Sequence, residues 1–186
     1  MRAFFLLPMT MACLIAGVLS ADEKSPPRPE RLTLRVIGLF APDRVKDLRE
    51  DFARVPDVKL VSVDFEFAEI TVEFVPGKAF PGTPPKGVPA ALDGKLGQAS
   101  HHTFRVKPRS TVPRTKLKTV VIPVAGLDCK ACAFGAYEAV ARIDGVEQAT
   151  ASFKERKVTA RIDPEKTSKD ALEGALRRAQ VQIPRP

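Results

Sequence analysis

The chain has 186 residues, a formal net charge of +8, 6% aromatic residues and no tryptophan. Its charge is spread: 16 basic and 13 acidic residues lie between Asp22 and Arg114, and 13 and 9 between Thr115 and Pro186. Mixed-sign surfaces with few aromatics and no basic run argue against nucleic-acid binding. The length suits one mid-sized domain or two small ones.

The N-terminus reads as a targeting segment. Arg2 precedes an apolar run from Phe4 to Leu19, broken by Thr10, and small residues follow at Ser20 and Ala21 before Asp22-Glu23-Lys24. Residues 1–21 are therefore expected to be a signal peptide, which places the protein in the periplasm or outside the cell. An uncleaved leader acting as an N-terminal membrane anchor is the alternative. The run is too short for an ordinary spanning helix, and no other stretch qualifies. Removing the leader removes Cys13 and leaves Cys129 and Cys132 as the mature thiols. In an oxidising compartment that pair rests as a disulfide unless metal or a reductant keeps it open.

Residues 22–30 form a proline-rich lead-in, stiffened by Ser25-Pro26-Pro27-Arg28-Pro29. A first unit is expected over 31–107. Leu32 to Leu39 is strand-like, and Asp43 is placed to cap a helix running to about Val55. Lys59 to Glu66 alternates Leu60, Val61, Val63 and Phe65, and Ile70 to Val75 is a further strand. A Gly- and Pro-rich loop, Pro76 to Gly87, comes next. It precedes a weak helix near Pro89 to Leu96 and a last strand at Thr103 to Val106. His101-His102 are expected at the start of that strand, where neighbouring side chains face opposite ways and do not readily share an ion.

Residues 108–115 read as a linker, and a second unit is expected over 116–186. Leu117 to Val124 is rich in β-branched residues and bounded by Gly126. Ala131 to Ile143 is helix-like, with Phe134 and Tyr137 expected to pack into the core rather than serve a site. Val146 to Phe153 and Lys157 to Ile162 form a hairpin, Ser168 caps a helix from Lys169 to about Ala179, and Val181-Gln182-Ile183 is a short last strand. Each unit thus has the order β-α-β-β-α-β, an antiparallel sheet with both helices on one face. The expected fold class is α+β, as two tandem ferredoxin-like sandwiches.

The chemistry concentrates in Gly126-Leu127-Asp128-Cys129-Lys130-Ala131-Cys132, between a strand and a helix. Two thiols two residues apart can close on one soft metal ion or on each other. A helix starting at the second thiol aims free N–H groups at them and favours the thiolate, the metal-binding form. Asp128 should oppose that ionisation and Lys130 assist it. The first unit has Gly38-Leu39-Phe40-Ala41-Pro42-Asp43 at the corresponding place, keeping Gly-Leu and lacking any thiol.

With these residues, the second unit resembles the heavy-metal-associated domain family, found in copper chaperones, copper-transporting ATPases and the periplasmic mercury-binding protein. The match is to the family's Gly-Met-x-Cys-x-x-Cys. Ile143-Asp144-Gly145-Val146 and Ala151-Ser152-Phe153 to Val158 support it. The resemblance implies Cys129 and Cys132 as metal ligands, with Gly126, Leu127, Asp128 and Lys130 as the supporting loop. Leu127 replaces the family methionine, and Ala179-Gln180-Val181 lacks the family's aromatic cover. The first unit resembles a degenerate copy without the motif.

The expected function is binding of one soft ion per chain, Cu(I) first and Hg(II) or Zn(II) as alternatives, with transfer to a partner such as a membrane transporter or chaperone. Thiol–disulfide exchange is the rival, and a binding or structural module with an incidental disulfide is the third reading. No Ser/His/Asp set, paired acid and base or phosphate loop stands out, so a hydrolytic enzyme is not expected, and a monomer is favoured over an oligomer. The first unit is a spacer, a docking surface or a cover for the metal loop, and Pro76 to Gly87 is its expected place for specific contacts.

Overall fold

The computed structural model describes residues 28–184. The leader expected at 1–21 and most of the proline-rich lead-in lie outside the described residues. No helix among the described residues is long and apolar enough to cross a membrane.

The first half runs β1 (Glu30–Ile37), α1 (Arg44–Phe52), β2 (Val58–Asp64), β3 (Glu69–Phe74), a short α2 (Pro76–Ala79), α3 (Val88–Ala99) and β4 (Arg105–Pro108). Its four strands lie in the order β2-β3-β1-β4, and every neighbouring pair is antiparallel. β1 and β3 occupy the centre, where Leu34, Val36, Ile70 and Val72 alternate inward and are almost fully buried. α1 and α3 pack on each other and close this core with Leu48, Phe52, Leu92 and Leu96. In β2 the consecutive apolar pair Leu60-Val61 breaks the alternation. A register shift between Leu60 and Ser62 makes Val61 the extra residue, and it is left exposed.

The second half runs β5 (Lys118–Pro123), α4 (Lys130–Ala141), β6 (Val146–Ser152), β7 (Lys157–Ile162) and α5 (Lys169–Arg178). Its antiparallel sheet has the order β5-β7-β6. α4 and α5 bring Ala133, Ala136, Tyr137, Val140, Leu172 and Leu176 against Ile122, Ala149, Val158 and Ala160. Ser168 caps α5 as expected, its hydroxyl accepting from the Ala171 amide at 3.3 Å.

Four expectations change. The last strand of the second half is reduced to one antiparallel bridge, Ala125 with Gln182, because Gln180 turns into the left-handed region at φ 62° and leaves only a short extended tail. His101 and His102 are not strand residues. Both have positive φ and close α3, with the His102 amide donating to the Gly97 carbonyl at 2.7 Å and the His101 amide to Gln98 at 3.4 Å. Pro76 to Gly87 is not an open loop: Ala79 and Phe80 are buried in the first core, and Phe80 meets Phe74 edge-on at 5.1 Å. Asp43 stands at the N-cap position of α1, but its side chain makes no capping hydrogen bond.

The two sheets meet along a polar and aromatic seam. Arg35 of β1 pairs with Glu147, the extra residue at a register shift in β6. Gln148 donates to the Phe65 carbonyl at 2.9 Å, and the Ala151 amide donates to the Phe40 carbonyl at 3.0 Å. The first half thereby covers part of the outer edge of β6, an edge otherwise left with unpaired backbone groups. At the far end, the guanidinium groups of Arg114 and Arg161 lie 3.7 and 4.7 Å from the centre of the Phe67 ring, and those arginines pair with Glu69 and Glu66.

Gly38 is where this seam leaves β1. Its φ is +106°, and an added Cβ would collide with the Thr103 carbonyl and come within 2.7 Å of the Phe104 ring. We expect Gly38→Ala to lower the urea midpoint, with a loss of at least about 1–2 kcal/mol in unfolding free energy. An Ala substitution at Gly135, with open space around it and ordinary helical φ, serves as the control and should leave the midpoint level or raised.

Candidate metal centre

The thiol loop is built by the chain reversing out of β5. Val124 and Leu127 are buried at 2% and 5% exposure and pin the loop to the core, while Gly126 takes φ +74° between them. Leu127 therefore packs beneath the loop as an apolar anchor. Asp128, Cys129 and Lys130 are exposed, and Cys132 is half-buried against the second core.

α4 begins at Lys130, immediately after the first thiol rather than at the second. Cys129 is the N-cap, in extended conformation, and its Sγ accepts the Cys132 amide at 3.2 Å. A sulfur thus does the work that a serine or aspartate oxygen does at other helix starts. It also sits at the positive end of a helix of 12 residues. These donors hold the Cys129 thiol below its ordinary value. The hydrogen bond with the Cys132 thiol contributes most, then the Cys132 amide, while burial and the negative charge of Asp128 act in the opposite direction. The expected influence of Asp128 is present.

Lys130 departs from expectation. Its ammonium donates to the Asp43 carboxylate of the first half at 2.7 Å. That bond holds the Asp43 carboxyl below the usual carboxylate range. It also explains why Asp43 does not cap α1, since the side chain is turned across the seam. Sequence reasoning assigned Asp43 to helix capping because the residue precedes a helical pattern. Its partner lies 87 residues away, and no local signal reports such a pair.

Two more residues of the same loop reach the site. Phe40 is buried at 7% exposure in the second core, although it belongs to the first half. Its ring lies 5.4 Å from Phe134 and 6.0 Å from Tyr137. The Tyr137 hydroxyl accepts the Gly38 amide at 2.7 Å, and burial pushes the phenol above its ordinary value. The absence of an aromatic at Ala179-Gln180-Val181 is thus accompanied by an aromatic brought from the other half. A cavity of about 810 Å³ opens beside this seam, lined by Phe40, Asp43, Phe65, Lys130, Ala133 and Phe153 among others. Among the described residues no group of three or more His, Cys, Asp or Glu side chains converges to hold an ion. His101 and His102 lie at the end of α3 in the first half, outside the thiol loop.

Residues 121–180 match the family model described as heavy-metal-associated domain. Over 160 residues the chain is 25% identical to human copper-transporting ATPase 2, covering 78% of this chain and 11% of that protein. Among solved structures, oxidized MerP from Ralstonia metallidurans CH34 is 28% identical, over 37% of this chain and 94% of its own, with a TM-score of 0.35. The N-terminal soluble domains of Bacillus subtilis CopA are 18% identical, over 85% of this chain and 94% of theirs, with a TM-score of 0.34.

Because the hydrogen-bond donors favour the thiolate, Cys129 should react with iodoacetamide with a pH midpoint below that of a free cysteine. In Cys132→Ala the donor that contributes most is removed with nothing in its place, so the Cys129 midpoint should rise toward the ordinary thiol value. Rates measured across a pH series by peptide mass spectrometry decide this. A midpoint unchanged by the substitution contradicts it.

Proposed function

We propose that this chain, with a heavy-metal-associated domain match at residues 121–180, binds one soft metal ion between Cys129 and Cys132 and passes it to a partner protein. The observation that carries this reading is the thiol pair itself. Cys129 caps a helix N-terminus, its thiol is held low, and Cys132, whose amide donates to that sulfur, brings a second free thiol in the first turn of the same helix. Two soft thiolates suit Cu(I) or Hg(II), whereas Zn(II) ordinarily takes four ligands. Cu(I) is the favoured cargo, in keeping with the copper named in the human relative.

Gly126 and Leu127 set the loop, and Asp128 tempers the negative charge that the pair accumulates. Cys129 is exposed, so a second dithiol can approach and share the ion before taking it. The partner is accordingly a metal donor or acceptor, a chaperone or a membrane transporter. The protein acts as a monomeric carrier rather than an enzyme.

The wider organisation belongs to the same proposal. Residues 1–21 are a signal peptide, 31–107 a degenerate copy of the metal domain without thiols, 108–115 a linker and 116–186 the metal domain. The order of elements in both halves supports the copy. The tandem arrangement makes one metal per chain the expected stoichiometry, and export makes reduction of the pair a requirement for loading.

Two free thiols at one helix start, one of them held toward the thiolate, also favour a second reading, thiol–disulfide exchange. Titrating reduced protein with Cu(I) against a chromogenic chelator separates the two. Uptake of one ion per chain, lost by more than about 10-fold in affinity in Cys129→Ser and in Cys132→Ser, is expected for the carrier. A failure to compete, combined with a strongly oxidising and rapidly exchanging disulfide in a glutathione series, supports the exchange reading instead.

A further inference from the structure

The loop Gly38–Asp43 belongs to the half without thiols, yet its side chains work on the half that has them. Phe40 is anchored at home by Arg44, whose guanidinium lies 5.4 Å from its ring and 5.1 Å from that of Phe104. Its ring nevertheless sits in the second core, against Phe134 and Tyr137 of the first two turns of α4. Its carbonyl takes the Ala151 amide at the edge of β6. Two residues further on from Ala41, the Asp43 carboxylate takes the Lys130 ammonium from the first residue of α4. Gly38 adds its amide to the Tyr137 hydroxyl. One short loop therefore holds the beginning of α4 by backbone, ring and charge.

The beginning of α4 is also what presents the thiols. Cys132 lies within its first turn, and the Cys132 amide is the donor to Cys129 Sγ. A displacement of this turn moves Cys132 and its amide relative to Cys129, which is placed by the Leu127 anchor on the β5 side. Cys129 also gives its carbonyl to the Ala133 amide at 3.0 Å, so it is held between the loop out of β5 and the helix start, whereas Cys132 rests on the helix start that the first half grips.

We propose that Phe40 and Asp43 are positioning residues for the thiol pair, acting through α4, so that the first half is a brace that presets Cys132 against Cys129. This rests on the metal reading for its purpose, since a preset pair closes on an ion without reordering the loop. The brace itself is independent of metal. It also ties Lys130 to Asp43, leaving the space above the thiols to an incoming partner rather than to the lysine.

The test is timed alkylation of the reduced, metal-free full chain with iodoacetamide. Trypsin cuts at Lys130, so Cys129 and Cys132 report on separate peptides. In Phe40→Ala, loss of the aromatic contacts should raise the Cys132 rate relative to Cys129 on the order of 2- to 10-fold. Phe40→Tyr, which keeps the ring, should restore the wild-type ratio. Asp43→Ala removes only an exposed ion pair and so leaves the fold intact; it should shift the ratio the same way by roughly 1.4- to 5-fold. A wild-type ratio in both variants, or equal acceleration of both thiols, overturns the brace, because general loosening exposes both alike. Cu(I) competition on the same samples separates the two proposals. A wild type that takes up no metal sinks the carrier reading, while the alkylation ratio still decides the brace.

Discussion

The hydrogen bond from the Gly38 amide to the Tyr137 hydroxyl is the point through which the two halves become one object. Tyr137 is almost wholly buried on α4, and a buried phenol needs a partner for its hydroxyl. Its partner comes from the first half, at Gly38, the residue after β1, where the backbone takes a positive φ. Once that bond is made, Phe40 is delivered into the second core and Asp43 to Lys130. The remaining seam, from Arg35–Glu147 on β6 to Phe67 with Arg114 and with Arg161 of β7, extends the same contact. Arg35 and Glu147 lie largely out of solvent, where each needs the other as a partner, whereas the outer pairs of Arg114 and Arg161 are more exposed and individually weak.

The consequence for chemistry is an asymmetric site. Cys129 is exposed at the end of a loop anchored by Leu127, and Cys132 is half-buried on a helix that the other half holds. An open thiol beside a supported one suits an ion that must be held and then given up. The helix N-terminus and the neighbouring thiol lower the cost of negative charge on Cys129, and Asp128 limits how far that goes. Lys130, the cation nearest in sequence, spends its charge on Asp43 instead.

Much of the fold was legible because its signals are local. The alternation of β7, the serine cap of α5 and the glycine-bounded thiol loop all depend on residues within a few positions of each other. The places that departed are those where distant groups compete. Asp43 had a local partner available in the α1 amides and took a remote lysine. His101 and His102 looked like strand edge and became a helix stop, because the Gly97 and Gln98 carbonyls at the end of α3 needed donors. The last strand was lost to a left-handed turn at Gln180, whose geometry residue type alone does not announce.

By itself the sequence determined the two successive β-α-β-β-α patterns, the single Cys-x-x-Cys loop and the absence of thiols from the first half, since periodicity, turn residues and cysteine spacing are properties of neighbouring residues. Only the tertiary structure decided that the thiol-free loop lies on the helix that carries Cys132. That contact joins residues about a hundred positions apart, and it exists because a buried hydroxyl, an exposed strand edge and an apolar notch on one half meet an amide, a carbonyl and a ring on the other.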